Sequence, residues 1–338
     1  MADSIPSPDF APELPASDSA EFNRAPAISL IDRMKSGLVG QEVLIERLMI
    51  ALLTGGHVLI EGAPGLAKTR SVRRLADGLE GDFSRIQCTP DLMPGDITGM
   101  QVFRQDSGTT EFLPGPLFHN LVLVDEINRA PPKVQSALLE GMGEGQVTAG
   151  GKTRALPDPF MVVATQNPLE NEGTFPLPEA QLDRFLMHVV LELPDEIAEM
   201  AILDLVEDEL KAHAAPLDSL LDRKTLAAMK EDVLQVHLSM ALKQYIVALV
   251  MATRRDTDGV SVGSRIRHAV SPRGSLALAA AVRARAFLHG RAYGVPEDVQ
   301  ALAPDIICHR MVPTWRAQAA GETSRTIFAE VLDQVKPL

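Results

Sequence analysis

The chain is poor in cysteine, poor in aromatic residues and without a long apolar run, and each shortage removes a class of protein. Its two cysteines, Cys88 and Cys308, stand far apart and fit neither a disulfide framework nor a C-x-x-C metal site. They read as small, semi-buried hydrophobes of a reducing compartment. No apolar run approaches the roughly 18 residues that a membrane span needs. The N-terminus carries acids and prolines where a signal peptide would have a basic stretch and an apolar one. A cytoplasmic location is therefore expected. Aromatics at 4% leave Leu, Ala, Val and Met to fill the core that a 46% hydrophobic content supports. Basic residues are also short, with 32 Lys and Arg against 45 Asp and Glu, a net charge of −13. Residues 195–338 hold 19 acidic and 17 basic side chains, so −11 of that charge falls on the first 194. No lysine-rich stripe offers a nucleic-acid surface, so nucleic acid is not an expected partner, although an acidic balance still allows a positively charged pore in an oligomer.

What is present is an alternation of strands and helices, followed by helices. Residues 1–27 are rich in Pro, Ala, Ser and Asp without apolar periodicity, and are expected to be a disordered tail. Helical patterns over Ala27–Met34 and Gln41–Leu53 flank Gly37-Leu38-Val39-Gly40. Five apolar runs then read as strands: His57–Ile60, Phe83–Gln87, Leu121–Val124, Phe160–Ala164 and His188–Leu193. Short apolar strands separated by helices predict an α/β fold, a parallel five-stranded sheet covered on both faces, over residues 28–194. After Pro194 the pattern is helical only, with Glu196–Ala212, Thr225–Leu234, Ser239–Arg254, Pro272–His289 and Pro296–His309, so residues 195–338 are expected to form an all-α lid domain.

The most informative segment is Gly62-Ala63-Pro64-Gly65-Leu66-Ala67-Lys68-Thr69, between the first strand and a helix with Val72, Leu75, Ala76 and Leu79 on one face. Strand, Gly/Pro-rich turn and helix beginning at Lys-Thr is the context of a phosphate-binding loop. Backbone N–H groups of such a turn cradle an anion at the helix N-terminus, Lys68 reaches the outer phosphates, and Thr69 supplies a hydroxyl to Mg²⁺. Ala67 replaces the usual second glycine of the motif, which is tolerable if that residue has right-handed helical dihedrals.

A second strand, Leu121 to Val124, ends in Asp125-Glu126. In a phosphate-loop ATPase an acid in this place holds Mg²⁺, here Asp125, and its neighbour Glu126 can polarise the attacking water. The run Phe160 to Ala164 continues into Thr165-Gln166-Asn167, placing an amide where it can touch a γ-phosphate if this strand neighbours the Asp125 strand. An Asn before Pro168 is also a common turn former. Arg184 follows Pro178-Glu179-Ala180-Gln181-Leu182-Asp183 in a short helix whose last turn would expose it. A forked, permanently charged guanidinium suits transition-state charge on a phosphoryl group, while the plainer alternative is a surface pair with Asp183. Arg273 opens a lid helix after Ser271-Pro272, placed either to reach phosphate or to neutralise a neighbour.

Taken together these segments resemble the AAA+ ATPases, and more narrowly the MoxR family, over about residues 28 to 310. The run from Asp125-Glu126-Ile127-Asn128-Arg129 to Glu140, the run Ala164 to Pro168 and the run Leu177 to Phe185 carry the resemblance. It implies that Asn167 is sensor 1, Arg184 an arginine finger acting on a neighbouring subunit, and Ser271-Pro272-Arg273 sensor 2. It further implies that Val39 and Gly40, within Gly37 to Gln41, contact adenine. ATP and Mg²⁺ are the implied cofactors, a homo-oligomeric ring of six the implied assembly, and a client or adaptor with a von Willebrand factor A domain the implied partner. Chaperone-like remodelling or maturation of that client is the implied work. A chelatase motor subunit, a nucleic-acid-acting ring and a non-catalytic ATP-dependent scaffold are the alternatives. The stretch Asp256 to His268 is longer and more basic than usual ahead of sensor 2. Two further segments resemble family insertions, Leu92–Gly99 leading to Gly115-Pro116-Leu117, and Glu144–Leu156, which reads as a hairpin about Gly150-Gly151.

Overall fold

Three apolar runs, each buried on both faces, fix the centre of the molecule. In a computed structural model, which describes residues 23–106, 108–168, 173–211, 219–255 and 262–337, these runs are β1 (Val58–Glu61), β5 (Leu121–Asp125) and β8 (Met161–Gln166). With β2 (Phe83–Gln87) and β9 (Met187–Val190) they form one parallel sheet in the order β2-β5-β8-β1-β9. Between β2 and β5 lies a hairpin of β3 (Gly99–Arg104) and β4 (Thr109–Pro114), and between β5 and β8 a second, β6 (Gln146–Ala149) and β7 (Lys152–Ala155). Strand geometry sends alternate side chains to opposite faces. Val58, Ile60, Leu121, Leu123, Met161 and Val163 enter one apolar cluster, whereas Leu59, Val122, Val124, Val162 and Ala164 enter the other.

The first face is covered by α1 (Ala25–Lys35), α2 (Glu42–Thr54) and α3 (Lys68–Asp77). The second is covered by α4 (Pro94–Thr98) and α5 (Pro132–Glu144). A short α6 (Glu179–Leu182) precedes β9. After β9 come α7 (Glu196–Lys211), α8 (Arg223–Gln235), α9 (Met240–Ala252), α10 (Pro272–Leu288) and α11 (Pro296–Ile307). Two further helices, α12 (Trp315–Ala319) and α13 (Ser324–Gln334), were not read from the pattern. α2 is apolar nearly all round and packs on both α1 and α10, so the lid helices share one continuous apolar cluster with the first face of the sheet. Its one buried cation, Arg47, donates to the Asp305 carboxylate at 2.9 Å and to the Ala301 carbonyl at 2.7 Å, both on α11.

Some expectations change. α1 starts at Ala25, inside the stretch assigned to the tail, because Pro26 falls in its first turn where no N–H is needed. The rest of that tail, residues 1–22, lies outside the described residues, as do residues 256–261 of the stretch before Pro272. The region after Pro194 is not purely helical, since β10 (Ile266–His268) pairs antiparallel with β11 (Val312–Pro313). β8 runs to Gln166 where the apolar pattern stops at Ala164, because Thr165 is held in the sheet by polar partners on β5.

Candidate active site

All five sheet strands are parallel, so β1, β2, β5 and β8 deliver their C-terminal residues to one edge. That edge, at the point where strand order reverses, is where open α/β sheets bind ligands. A cleft of about 360 Å³ opens there, lined by Pro64 to Thr69 of the loop, by Asp125 and Glu126, by Thr165 and Asn167, and by Arg70, Arg85 and Gln87. Sequence reasoning named the loop, Asp125, Glu126 and Asn167, and the structure brings these to one cleft.

The loop between β1 and α3 turns on Gly65, whose φ of 88° is open to glycine and costly to other residues. Ala67 is the departure. Its φ of 53° and ψ of 21° are left-handed, not the right-handed helical values that would make alanine easy there. No side chain caps the N-terminus of α3, which begins at Lys68. Lys68 Nζ donates to the Gly62 carbonyl at 2.6 Å and to the Gln166 carbonyl at 3.3 Å, bridging the ends of β1 and β8.

Asp125 is buried at the tip of β5 and collects three partners. Arg85 Nε donates to Oδ2 at 2.6 Å, Thr165 Oγ1 donates to Oδ1 at 3.1 Å, and Thr69 Oγ1 lies 3.3 and 3.4 Å from the two oxygens. Glu126 also has a left-handed backbone, with φ of 56°, and its N–H donates to Thr165 Oγ1 at 3.0 Å. Its carboxylate accepts from Gln87 Nε2 at 3.0 Å and from Arg129 Nη1 at 3.4 Å. Asn167 is buried at the end of β8 and faces the same cleft. Cys88, next to β2, has its thiol pushed up to about 12 by burial and then by the charges of Asp125 and Glu126, so it stays neutral.

A second cleft, of about 260 Å³, shares Pro64 to Ala67 and Arg70 with the first. Gly37, Leu38, Val39 and Gln41 line one side, and Leu193, Pro194, Ile202, Leu205 and Val206 the other. An apolar slot continuous with a phosphate loop suits the flat base of a nucleotide. Gly40 does not line the slot; it makes the turn into α2 at φ 70°, with Ala198 against it. Gly62 contributes its carbonyl to Lys68, and Ala63 lines neither cleft.

Two residues expected to be catalytic also stand outside both clefts. Arg184 is not exposed by a last helical turn, since α6 ends at Leu182; it is half-buried, and its Nη1 donates to the Leu139 carbonyl on α5 at 2.6 Å. Its supposed surface partner Asp183 instead accepts from Arg310 Nε at 2.9 Å and from Ser271 Oγ at 3.3 Å. Arg273 sits in the first turn of α10, well exposed, with Nη1 3.7 Å from Asp183. Sequence reasoning missed Arg85, Gln87, Thr165 and the α7 wall of the second cleft. The signal for the first two was polar alternation, Arg85 and Gln87, at the end of a strand of an otherwise buried sheet.

Comparison with known proteins agrees with this fold. The ATPase family associated with various cellular activities (AAA) matches residues 57–187, and the AAA lid domain matches residues 261–331. The YeaC protein of Bacillus subtilis is 43% identical over 90% of this chain and 93% of its own length. Chaperone MoxR1 of Mycobacterium tuberculosis is 42% identical over 90% of this chain and 80% of its own. Protein MoxR of Methylorubrum extorquens is 32% identical, covering 87% and 91%. A crystal structure of a candidate ATPase from Cytophaga hutchinsonii superimposes with a TM-score of 0.86 at 41% identity, over 93% of this chain and 96% of that one. A phosphate loop, an acidic strand end and a polar strand end around one cleft, beneath a helical lid, thus belong to a chain that is a member of the MoxR family of AAA+ ATPases.

Proposed function

We propose that this ATPase works as one subunit of a closed ring that couples Mg²⁺-dependent ATP hydrolysis to remodelling or maturation of a protein client. The observation that carries the reading is the meeting of Lys68, Thr69, Asp125, Glu126 and Asn167 in one cleft while Arg184 lies outside it on the same chain. Lys68 exchanges its two carbonyl partners for the outer phosphates. Thr69 and Asp125 present a hydroxyl and a carboxylate, hard oxygen donors that fit Mg²⁺, which when bound supplies charge neutralisation on the phosphate oxygens. Glu126 takes up the attacking water and Asn167 contacts the γ-phosphate. The base lies in the slot beside Val39, while Gly40 turns the chain from that wall into α2.

Arg184 then completes the site of a neighbouring subunit, and a head-to-tail contact of this kind closes into a ring, six-membered by analogy with the family. Arg273 joins from the lid. The β3–β4 hairpin, which exposes Met100, Phe103 and Leu113, supports a role in meeting the client, for which a von Willebrand factor A domain protein is the expected class. A nucleic-acid substrate is disfavoured further by Arg154. This cation of the β6–β7 hairpin stacks 3.7 Å over the Phe112 ring and donates to the Ala149 carbonyl, so its charge is turned inward. Buried free thiols at Cys88 and Cys308 accord with work in the reducing cytoplasm.

ATPase rate against protein concentration tests the shared site. Turnover per subunit is expected to climb with concentration in the wild type and to drop roughly 10³-fold or more in Arg184→Ala. A rate independent of concentration and untouched by the substitution would mean that one chain holds the whole site.

A further inference from the structure

The last turn of α5 reads Gly141-Met142-Gly143-Glu144 before the left-handed Gly145 that ends it. Gly145 is explained by its φ of 62°. The two glycines inside the helix are not explained by backbone conformation, and glycine there weakens a helix relative to alanine. Space separates them. A Cβ built on Gly141 would meet Leu156 at 3.4 Å, an ordinary contact. A Cβ built on Gly143 would lie 2.0 Å from Arg184 Nη1 and 3.1 Å from Arg184 Cζ. The guanidinium therefore lies across residue 143, and it reaches the Leu139 carbonyl one turn earlier. The negative end of a helix dipole favours a cation in this place.

We propose that the last turn of α5 is the seat that positions the arginine finger, and that Gly143 is its positioning residue. The inference rests on the reading of Arg184 as a finger. The anchor uses one of the five N–H groups of the fork, and the rest of the guanidinium is preorganised for a neighbouring subunit. Seating removes rotamer freedom before the phosphoryl group arrives, and a misplacement of about 1 Å at such a site can cost on the order of 10²-fold in rate.

The test uses the full chain, with ATP turnover and thermal melting measured for Gly143→Ala, Gly141→Ala, Arg184→Ala and the Gly143→Ala/Arg184→Ala double variant. Gly143→Ala is expected to lower kcat by roughly 10- to 100-fold. Its KM for ATP should hold, and its melting temperature should stay or rise because alanine favours the helix. Gly141→Ala should turn over like the wild type. The double variant should be no slower than Arg184→Ala, since both act at one guanidinium. Full turnover in Gly143→Ala, beside loss in Arg184→Ala, overturns the seat and spares the finger. A kcat loss that comes with a lower melting temperature, or that adds to the loss in Arg184→Ala, also overturns the seat. Unchanged turnover in Arg184→Ala overturns the finger reading itself.

Discussion

Ala67→Gly separates two conformations of the phosphate loop by the sign of a stability change. In a right-handed helical residue, alanine is better than glycine by about 0.8–1.0 kcal/mol, so the substitution would destabilise. The structure gives Ala67 a left-handed backbone, φ 53° and ψ 21°. That conformation costs an L-residue roughly 1–2 kcal/mol, which glycine would relieve. Against the relief stand the greater backbone entropy glycine loses, roughly 0.5–1 kcal/mol, and the half-buried methyl that Ala67 packs on the core. The methyl is worth at most about 0.8 kcal/mol. Mid-range values leave a net change near zero, with extremes of about −0.8 and +1.5 kcal/mol, against about −1 kcal/mol for the right-handed alternative. Ala67→Val extends the series, because a β-branched residue at positive φ is a genuine outlier and should lose both stability and nucleotide affinity. Urea unfolding at constant slope resolves the order Gly at or above Ala, and Ala above Val. A loss of about 1 kcal/mol in Ala67→Gly would refute the left-handed assignment.

Two further outcomes follow from buried charge. His57, just before β1, accepts the Val162 N–H on Nδ1 at 3.0 Å, and its Nε2 lies 3.1 Å from the Met142 carbonyl, so the neutral ring protonated on Nε2 fits both. Burial pushes its pKa from 6.5 down to about 4. Between those values the unfolded chain takes up a proton that the folded one refuses, so this stability is full above pH 6.5 and lost as pH falls toward about 4. The shift is worth up to about 3 kcal/mol. In urea titrations across that window a folded His57→Asn variant should show a flatter decline; an equally steep one would place the acid sensitivity elsewhere. Asp298, fully buried in the first turn of α11, accepts from Arg285 at 2.6 Å, from both Nη atoms of Arg291 at 2.7 Å, and from the Val295 N–H at 3.0 Å. Asp298→Ala strips Arg291 of its carboxylate and leaves Arg285 with Glu46 alone, and should cost about 3 kcal/mol, seen as a marked fall in melting temperature. A melt within a degree or two of the wild type would mean that the lid does not depend on this cluster.

The central strands were legible because nearly their whole length is buried, which makes them continuous apolar runs, and because two of them run into polar residues that line the cleft. Asp125, Glu126 and Asn167 could be found this way, as could Lys68 and Thr69, whose motif is local in sequence. Arg85 and Gln87 left only the polar alternation of β2, which does not say what they face. Their importance comes from the parallel register that sets Gln87 opposite Asp125, and no pattern within β2 encodes its neighbour. The left-handed backbone at Ala67 was hidden because alanine is also a good residue for the right-handed alternative. α13 was missed although Thr323 and Thr326 form a capping box, since the helix is short and the charges between its apolar residues blur the stripe. The wall of the second cleft depends on α7 folding back over the loop, where Glu209 pairs with both Arg70 and Arg74 of α3. That contact joins segments far apart in sequence, and composition is silent on it.

Asp183 shows why the two arginines outside the cleft belong to one argument. Its carboxylate is held from the lid by Arg310 and Ser271, with Arg273 3.7 Å away. The carbonyls of Phe185 and Leu186 accept from Arg310 as well. Arg184 stands between these lid-bound residues and is anchored in the opposite direction, to α5. The segment from Asp183 to Leu186 is thus gripped by the lid on one side and by the sheet domain on the other. For Arg273 to meet a phosphate in the cleft, it must leave Asp183, and α10 must move to carry it. Such a movement pulls on both neighbours of Arg184, because Ser271 holds the Asp183 side chain and Arg310 holds the Asp183 carboxylate and the Phe185 carbonyl. In the ring we propose, a rotation of the lid and a shift of Arg184 are therefore coupled through four consecutive residues, Asp183 to Leu186.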